Sequence, residues 1–148
     1  IAGGAYHRTL LPPPPSMRFL GLPCPLWVTL AEQFGDASAL TDTILLDVVR
    51  VLVMSEQTPD APSTLVLGCT HFPVFRTRLQ QLLGPKVQVI DSAQTTAGSV
   101  ASALQSEGLL SDCGGNTQFL ATDGVERFQR VGATFLAESI SDVELVDL

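Results

Sequence analysis

Positive charge is scarce in this chain: eight Lys and Arg stand against fifteen Asp and Glu, for a net charge of −7 at pH 7. A nucleic-acid surface tracks phosphates with clustered basic residues. Here only Arg76/Arg78 and Arg127/Arg130 lie close together, and both pairs are expected on solvated helix faces, so nucleic acid is excluded as a partner. Long apolar runs are missing too. A membrane helix needs about 20 apolar residues, and the richest stretch, Ile44 to Met54, is broken by Asp47 and Arg50; no membrane partner is expected. No signal-peptide pattern opens the sequence. It begins at Ile1 rather than Met, and IAGGAYHR has the texture of an interior stretch, so a truncated chain is expected, although processing would leave the same start.

Cysteine is limited to Cys24, Cys69 and Cys113. An odd count without framework spacing points to free thiols in a reducing, cytoplasmic compartment. Neither CxxC nor HExxH occurs, and Cys69 with His71 supplies at most half a ligand set, so no metal is expected. What remains is 148 residues with 45% hydrophobic and 16% charged content, enough for one ordinary domain with a real core.

The pattern along the chain alternates helices with short apolar strands. Pro12 to Pro15 forbid helix and central strand and are read as a surface connection, with a proline-binding module's ligand as the other reading. Pro25 suits a helix's first turn, with Leu26, Leu30 and Phe34 on one face and Gly35 as the stop. A second helix is predicted from Asp42 to about Glu56, with Ile44, Leu45, Val48, Val49, Leu52 and Val53 as a wide stripe. After a loop at 58–62, Thr64 to Leu67 has the fully apolar look of a strand buried on both faces. A helix starting at Pro73 and ending at Gly84 carries Val74, Leu79, Leu82 and Leu83. Val87 to Ile90 is the next strand, and Asp91-Ser92 caps a helix reaching Glu107. Thr117 to Ala121 is a strand, Asp123 and Glu126 form a capping pair, and Val125, Phe128, Gly132 and Phe135 share one helix face. Val143 to Val146 is the last strand. The class is therefore α/β with a largely parallel sheet.

Ligands of such sheets bind beyond the carboxyl ends of the strands, and Gly68-Cys69-Thr70-His71 lies at such an end, just before a helix. A thiol there faces the positive end of the helix dipole, which favours the thiolate. His71 is placed to act as its acid/base partner or to orient it. Thr70 offers a hydroxyl and a backbone N–H to a carboxylate, and Gly68 lets a substrate approach the backbone. On residues alone a second reading stands beside this one: a buried structural cysteine next to a histidine that caps the helix. Glu32, at a helix end, is by spacing alone a solvated carboxylate.

The stretch from Leu65 to Pro73, LVLGCTHFP, resembles the LVLGCTHYP motif of bacterial glutamate racemases, with Phe72 where that family often has Tyr. Cys24 to Glu32, CPLWVTLAE, is similar to the family's CPLFVPLVE, Asp91-Ser92-Ala93 to its IDSA segment, and the end, from Asp123 through Val146-Asp147-Leu148, to its PERF…VDL. The match runs in order over nearly the whole chain. The resemblance implies a parallel-sheet sandwich of the aspartate/glutamate racemase type, here an incomplete pair of domains. Residues 1–95 would be the remainder of the second α/β domain, carrying the GCTH site, and residues 96–148 a segment that returns to the first. It implies Cys69 as one of two catalytic thiols, His71 as its acid/base neighbour, Glu32 as an assisting acid, and Thr70 and Gly68 as substrate contacts. Glutamate would be the small-molecule substrate, with no pyridoxal phosphate or other cofactor, and D-glutamate would pass into peptidoglycan. The resemblance leaves room for a homodimer.

The departure lies in what is missing. The family's other cysteine, its catalytic Asp and its substrate-binding Asn-Thr belong to the first half of the full-length enzyme, and nothing here matches them. Cys24 is read as structural and Cys113 as incidental in a surface loop. Three hypotheses follow: a racemase portion that works only with its missing half (aspartate and hydantoin racemases being the near alternatives), a non-catalytic fragment that binds an anion or a partner, and a thiol hydrolase built on Cys69 and His71.

Overall fold

Parallel strands cannot be joined by a tight turn, so each pair needs a crossover, and this chain contains two such units. The computed structural model describes residues 8–9, 17, 19–33, 39–53 and 62–147. Helices α1 (Pro25–Gln33) and α2 (Ala39–Val53) precede β1 (Thr64–Leu67). A short 3₁₀ turn, Phe72–Phe75, leads into α3 (Arg76–Leu83) and β2 (Gln88–Asp91). Helix α4 (Ser92–Ser106) connects to β3 (Phe119–Ala121), α5 (Val125–Leu136) and β4 (Val143–Leu145). β1 pairs with β2 in parallel, Thr64 opposite Gln88 and Leu67 opposite Asp91. β3 pairs with β4 in parallel, Phe119 opposite Val143 and Ala121 opposite Leu145. The α/β class and parallel strands agree with the sequence pattern, but the strands form two separate two-stranded sheets among the described residues.

The core belongs to the first unit. Trp27, Leu30 and Ala31 of α1, Leu45 and Val49 of α2, Leu67 of β1, Phe75, Leu79 and Leu83 around α3, and Val87 and Val89 at β2 are all buried together. Trp27 stands edge-on to Phe72, ring centres 5.2 Å apart, and to Phe75 at 6.0 Å, a favourable aromatic geometry that docks α1 on the 3₁₀ turn. Gln80 secures the turn into β2: its side-chain amide donates to the carbonyls of Gly84 and Val87 and accepts from the Val89 N–H. Gly84 ends α3 with φ at +70°, a conformation that favours glycine. Asp91, 3% exposed, caps α4 by accepting from the Gln94 N–H at 2.8 Å and pairs with Arg76 Nε at 3.0 Å, which satisfies a carboxylate that burial alone would penalise.

Several expectations need correction. Leu26 is exposed and Trp27 takes its place on the buried face of α1. Val66 of β1 is 44% exposed, so the strand is covered on one face only: an apolar tetrapeptide signals tolerance of burial on both sides, not the presence of a second layer. The cysteine loop leads into a 3₁₀ turn, and α3 itself starts at Arg76. The cap of α5 is Gly124 in the left-handed region, without a side-chain cap bond; Asp123 accepts instead from the Gly124 N–H. Neither basic pair is merely solvated: Arg76 binds Asp91 and Arg78 makes a two-pronged pair with Asp42, while Arg127 and Arg130 both reach Glu32. The proline run, Phe34, Gly35 and the loop through residue 61 lie outside the described residues. No helix among the described residues is long and apolar enough to cross a membrane.

Candidate active site

The site grows from the carboxyl end of β1. Leu67 anchors the strand in the core, after which the chain turns sharply, the Phe72 N–H donating to the Cys69 carbonyl at 3.2 Å. Pro73 at the start of the 3₁₀ turn and the Trp27 contacts hold the far side of that turn. The result leaves Gly68 and Thr70 exposed and Cys69 and His71 half-buried. His71 occupies the cap position of the turn but makes no side-chain cap bond, so the reading of a histidine spent on capping is set aside. Its ring bridges two elements instead. Nδ1 lies 3.8 Å from Cys69 Sγ, and Nε2 lies 3.1 Å from Glu32 Oε1.

Glu32 arrives from the end of α1, one residue past the buried Ala31, so the packing that docks α1 also fixes this carboxylate. Its second oxygen accepts from Arg127 Nη2 at 2.6 Å. The hydrogen bond from His71, and then that from Arg127, holds its carboxyl below the ordinary glutamate range. An ionised carboxylate only accepts, so Nε2 of His71 donates to Glu32, which leaves Nδ1 facing the thiol. A proton passing from Sγ to Nδ1 leaves a thiolate and an imidazolium whose charge Glu32 balances.

No protein-family model matches the chain. Curated glutamate racemases do. That of Syntrophus aciditrophicus is 33% identical over 150 residues, covering 100% of this chain and 54% of the relative. That of Geobacter metallireducens is 32% identical over 150 residues, again 100% of this chain and 54% of the relative. The chain matches the carboxy-terminal part of glutamate racemases. It spans about half the length of the curated relatives it matches. A solved glutamate racemase isoform of Bacillus anthracis superposes with a TM-score of 0.66 at 30% identity, over 84% of this chain and 45% of that one. A glutamate racemase of Francisella tularensis, solved with D-glutamate, superposes with a TM-score of 0.75 at 22% identity over 99% of this chain and 53% of that one, a likeness of fold.

Against that racemase background, Cys69, His71 and Glu32 form one connected row, with Gly68 and Thr70 exposed alongside. Cys24 lies outside this row: it is half-buried against the core, its Sγ is 3.6 Å from the Leu22 carbonyl, and burial pushes its thiol up. Cys113 is exposed in a loop with Ser111. An open hollow of about 440 Å³ runs along α5, lined by Asp123, Gly124, Arg127, Phe128, Val131 and Gly132; it shares only Arg127 with the site, and the thiol is not in it. Among the described residues no three His, Cys, Asp or Glu side chains gather to hold a metal ion. Sequence reasoning missed Arg127 and Arg130, which approach Glu32 from 95 and 98 residues away. Arg127 falls inside the PERF-like stretch and Arg130 one turn beyond it, but nothing local in that stretch names Glu32 as their partner.

Proposed function

We propose that this chain contributes one side of a glutamate racemase active site, with Cys69 as one of two thiol bases that interconvert L- and D-glutamate. The observation that carries the reading is the connected row Cys69–His71–Glu32 at the end of β1 in a chain matching racemases along its length. The reaction takes the Cα proton from one face of the substrate and returns a proton to the other. Cys69, deprotonated through His71, acts on one face; the opposite base comes from the amino-terminal half found in full-length relatives. The Cα–H is a very weak acid, so donors must already face the developing charge. The Thr70 hydroxyl and N–H, with the open backbone at Gly68, are suited to the substrate carboxylate. The D-glutamate bound by the Francisella relative supports the choice of substrate. In this reading no pyridoxal phosphate takes part, and the D-glutamate made serves peptidoglycan.

The same reading divides the chain into residues 1–95, which complete the domain bearing the site, and residues 96–148, which return to the absent domain. The exposure of Val100, Leu104, Leu120 and Leu145 supports this division, because isolated apolar strand edges and faces call for a partner. A polarimetric racemase assay tests the proposal. The 148 residues alone are expected to turn over negligibly, and adding the amino-terminal half of a relative is expected to restore turnover. Efficient turnover by the chain alone would overturn the two-sided arrangement and bring Cys24 or Cys113 forward as a second base.

A further inference from the structure

Helix α5 meets the site at three places. Arg127 Nη2 donates to Glu32 Oε2 at 2.6 Å. One turn on, Arg130 Nη1 donates to the Glu32 backbone carbonyl at 2.9 Å. Further on, the Phe135 ring stands edge-on to the His71 ring, centres 6.0 Å apart at 79°. Glu32 is therefore gripped by side chain and backbone from α5, while its remaining oxygen takes the His71 N–H. A glutamate at the last turn of a nine-residue helix would otherwise sample several rotamers, and His71, with no cap bond of its own, would turn with it.

We propose that Arg127 is a positioning residue for Cys69: by fixing Glu32 it holds the His71 Nε2–H and keeps Nδ1 aimed at the thiol. The inference deepens the racemase reading and rests on it for its functional meaning, but its test needs no turnover. The charged groups set against the Cys69–His71 pair come from α1, as Glu32, and from α5, as Arg127 and Arg130. Arg127 makes one charge-assisted hydrogen bond, from Nη2 to Oε2, to a carboxylate only 22% exposed whose other oxygen is taken by His71, a contact that a Lys ammonium can also make. Because the Arg127 side chain is itself 67% exposed, replacing it leaves the core intact.

The experiment is the pH profile of iodoacetamide alkylation of Cys69 in the full chain, with Cys24→Ala and Cys113→Ser so that one thiol reports. In Arg127→Gln the rate at neutral pH is expected to fall about three- to tenfold, with the half-maximal pH moving up by about 0.5–1. Arg127→Lys is expected to recover most of the rate, and circular dichroism to show an unchanged fold. Glu32→Gln is expected to lower the rate as well, and Arg127→Gln placed on it to add little, since both act through one carboxylate. Two results overturn the proposal: a profile for Arg127→Gln that superposes on the parent or shows faster alkylation, as simple repulsion between Arg127 and the imidazolium would give, or an equal loss in the Glu32→Gln background. Failed racemisation with a normal Arg127 effect would count against the racemase reading alone, whereas restored racemisation without an Arg127 effect would count against this proposal alone.

Discussion

The two βαβ units of this chain are built alike and buried very differently. Around β1 and β2, eleven side chains close a core with α1, α2 and α3. Around β3 and β4, only Ala121 and Ile140 are buried among the described residues, and α4, which links the units, buries none of its side chains. The same local grammar of strand, helix and parallel strand therefore closes a core in one case and leaves an open face in the other. The difference lies in what each unit has to pack against among the described residues: the first has two preceding helices, and the second meets the first through Glu32 and His71.

The comparison breaks most visibly at the core. Phe75→Ala is expected to cost about 3–5 kcal/mol and to remove the cooperative urea transition of the chain; a loss below about 1 kcal/mol would mean that the first unit is no more closed than the second. Acidification tests the contact between units. Glu32's carboxyl is held below its ordinary value by His71 and Arg127, so the contact contributes fully above the usual glutamate range near pH 4.3 and is lost as pH falls through the lower folded value. Ring-to-ring NMR cross-peaks between His71 and Phe135 are expected to persist through the ordinary glutamate range and to be lost only as pH falls below it; their loss near neutrality would contradict the assignment. Ala137 closes α5 with φ at +55°, a position that suits glycine, so Ala137→Gly is expected to stabilise α5 by up to about 1 kcal/mol, seen as slower amide exchange. The smallest effect belongs to the open face: Leu104→Ala is expected to change stability by less than about 0.5 kcal/mol in the chain alone, and to matter only once the amino-terminal half is bound.

What the sequence made legible was whatever is local. The strand at Thr64 to Leu67, the one expected at Val87 to Ile90 and found at Gln88 to Asp91, the glycine stop at Gly84 and the Asp91 cap are set by neighbours a few residues away and were readable. The Cys69–His71 pairing was readable for the same reason. Glu32, 39 residues from His71, was a solvated carboxylate on spacing alone and became a candidate only through resemblance. Arg127 and Arg130 were assigned to a solvated face because nothing within a helix turn marks a partner so distant in the chain. The open face of Val66 was illegible for a different reason: hydrophobicity states what a strand tolerates, and the layer that would cover it is not among the described residues.

The most direct test of the account is the incorporation of solvent deuterium at Cα of L- and D-glutamate in heavy water, followed by NMR, for the chain mixed with the amino-terminal half of a relative. The account predicts exchange with inversion that requires both pieces and falls by at least about a hundredfold in Cys69→Ser. Exchange that is unchanged by Cys69→Ser would contradict it, because the thiol at the end of β1 would then be no base in the reaction.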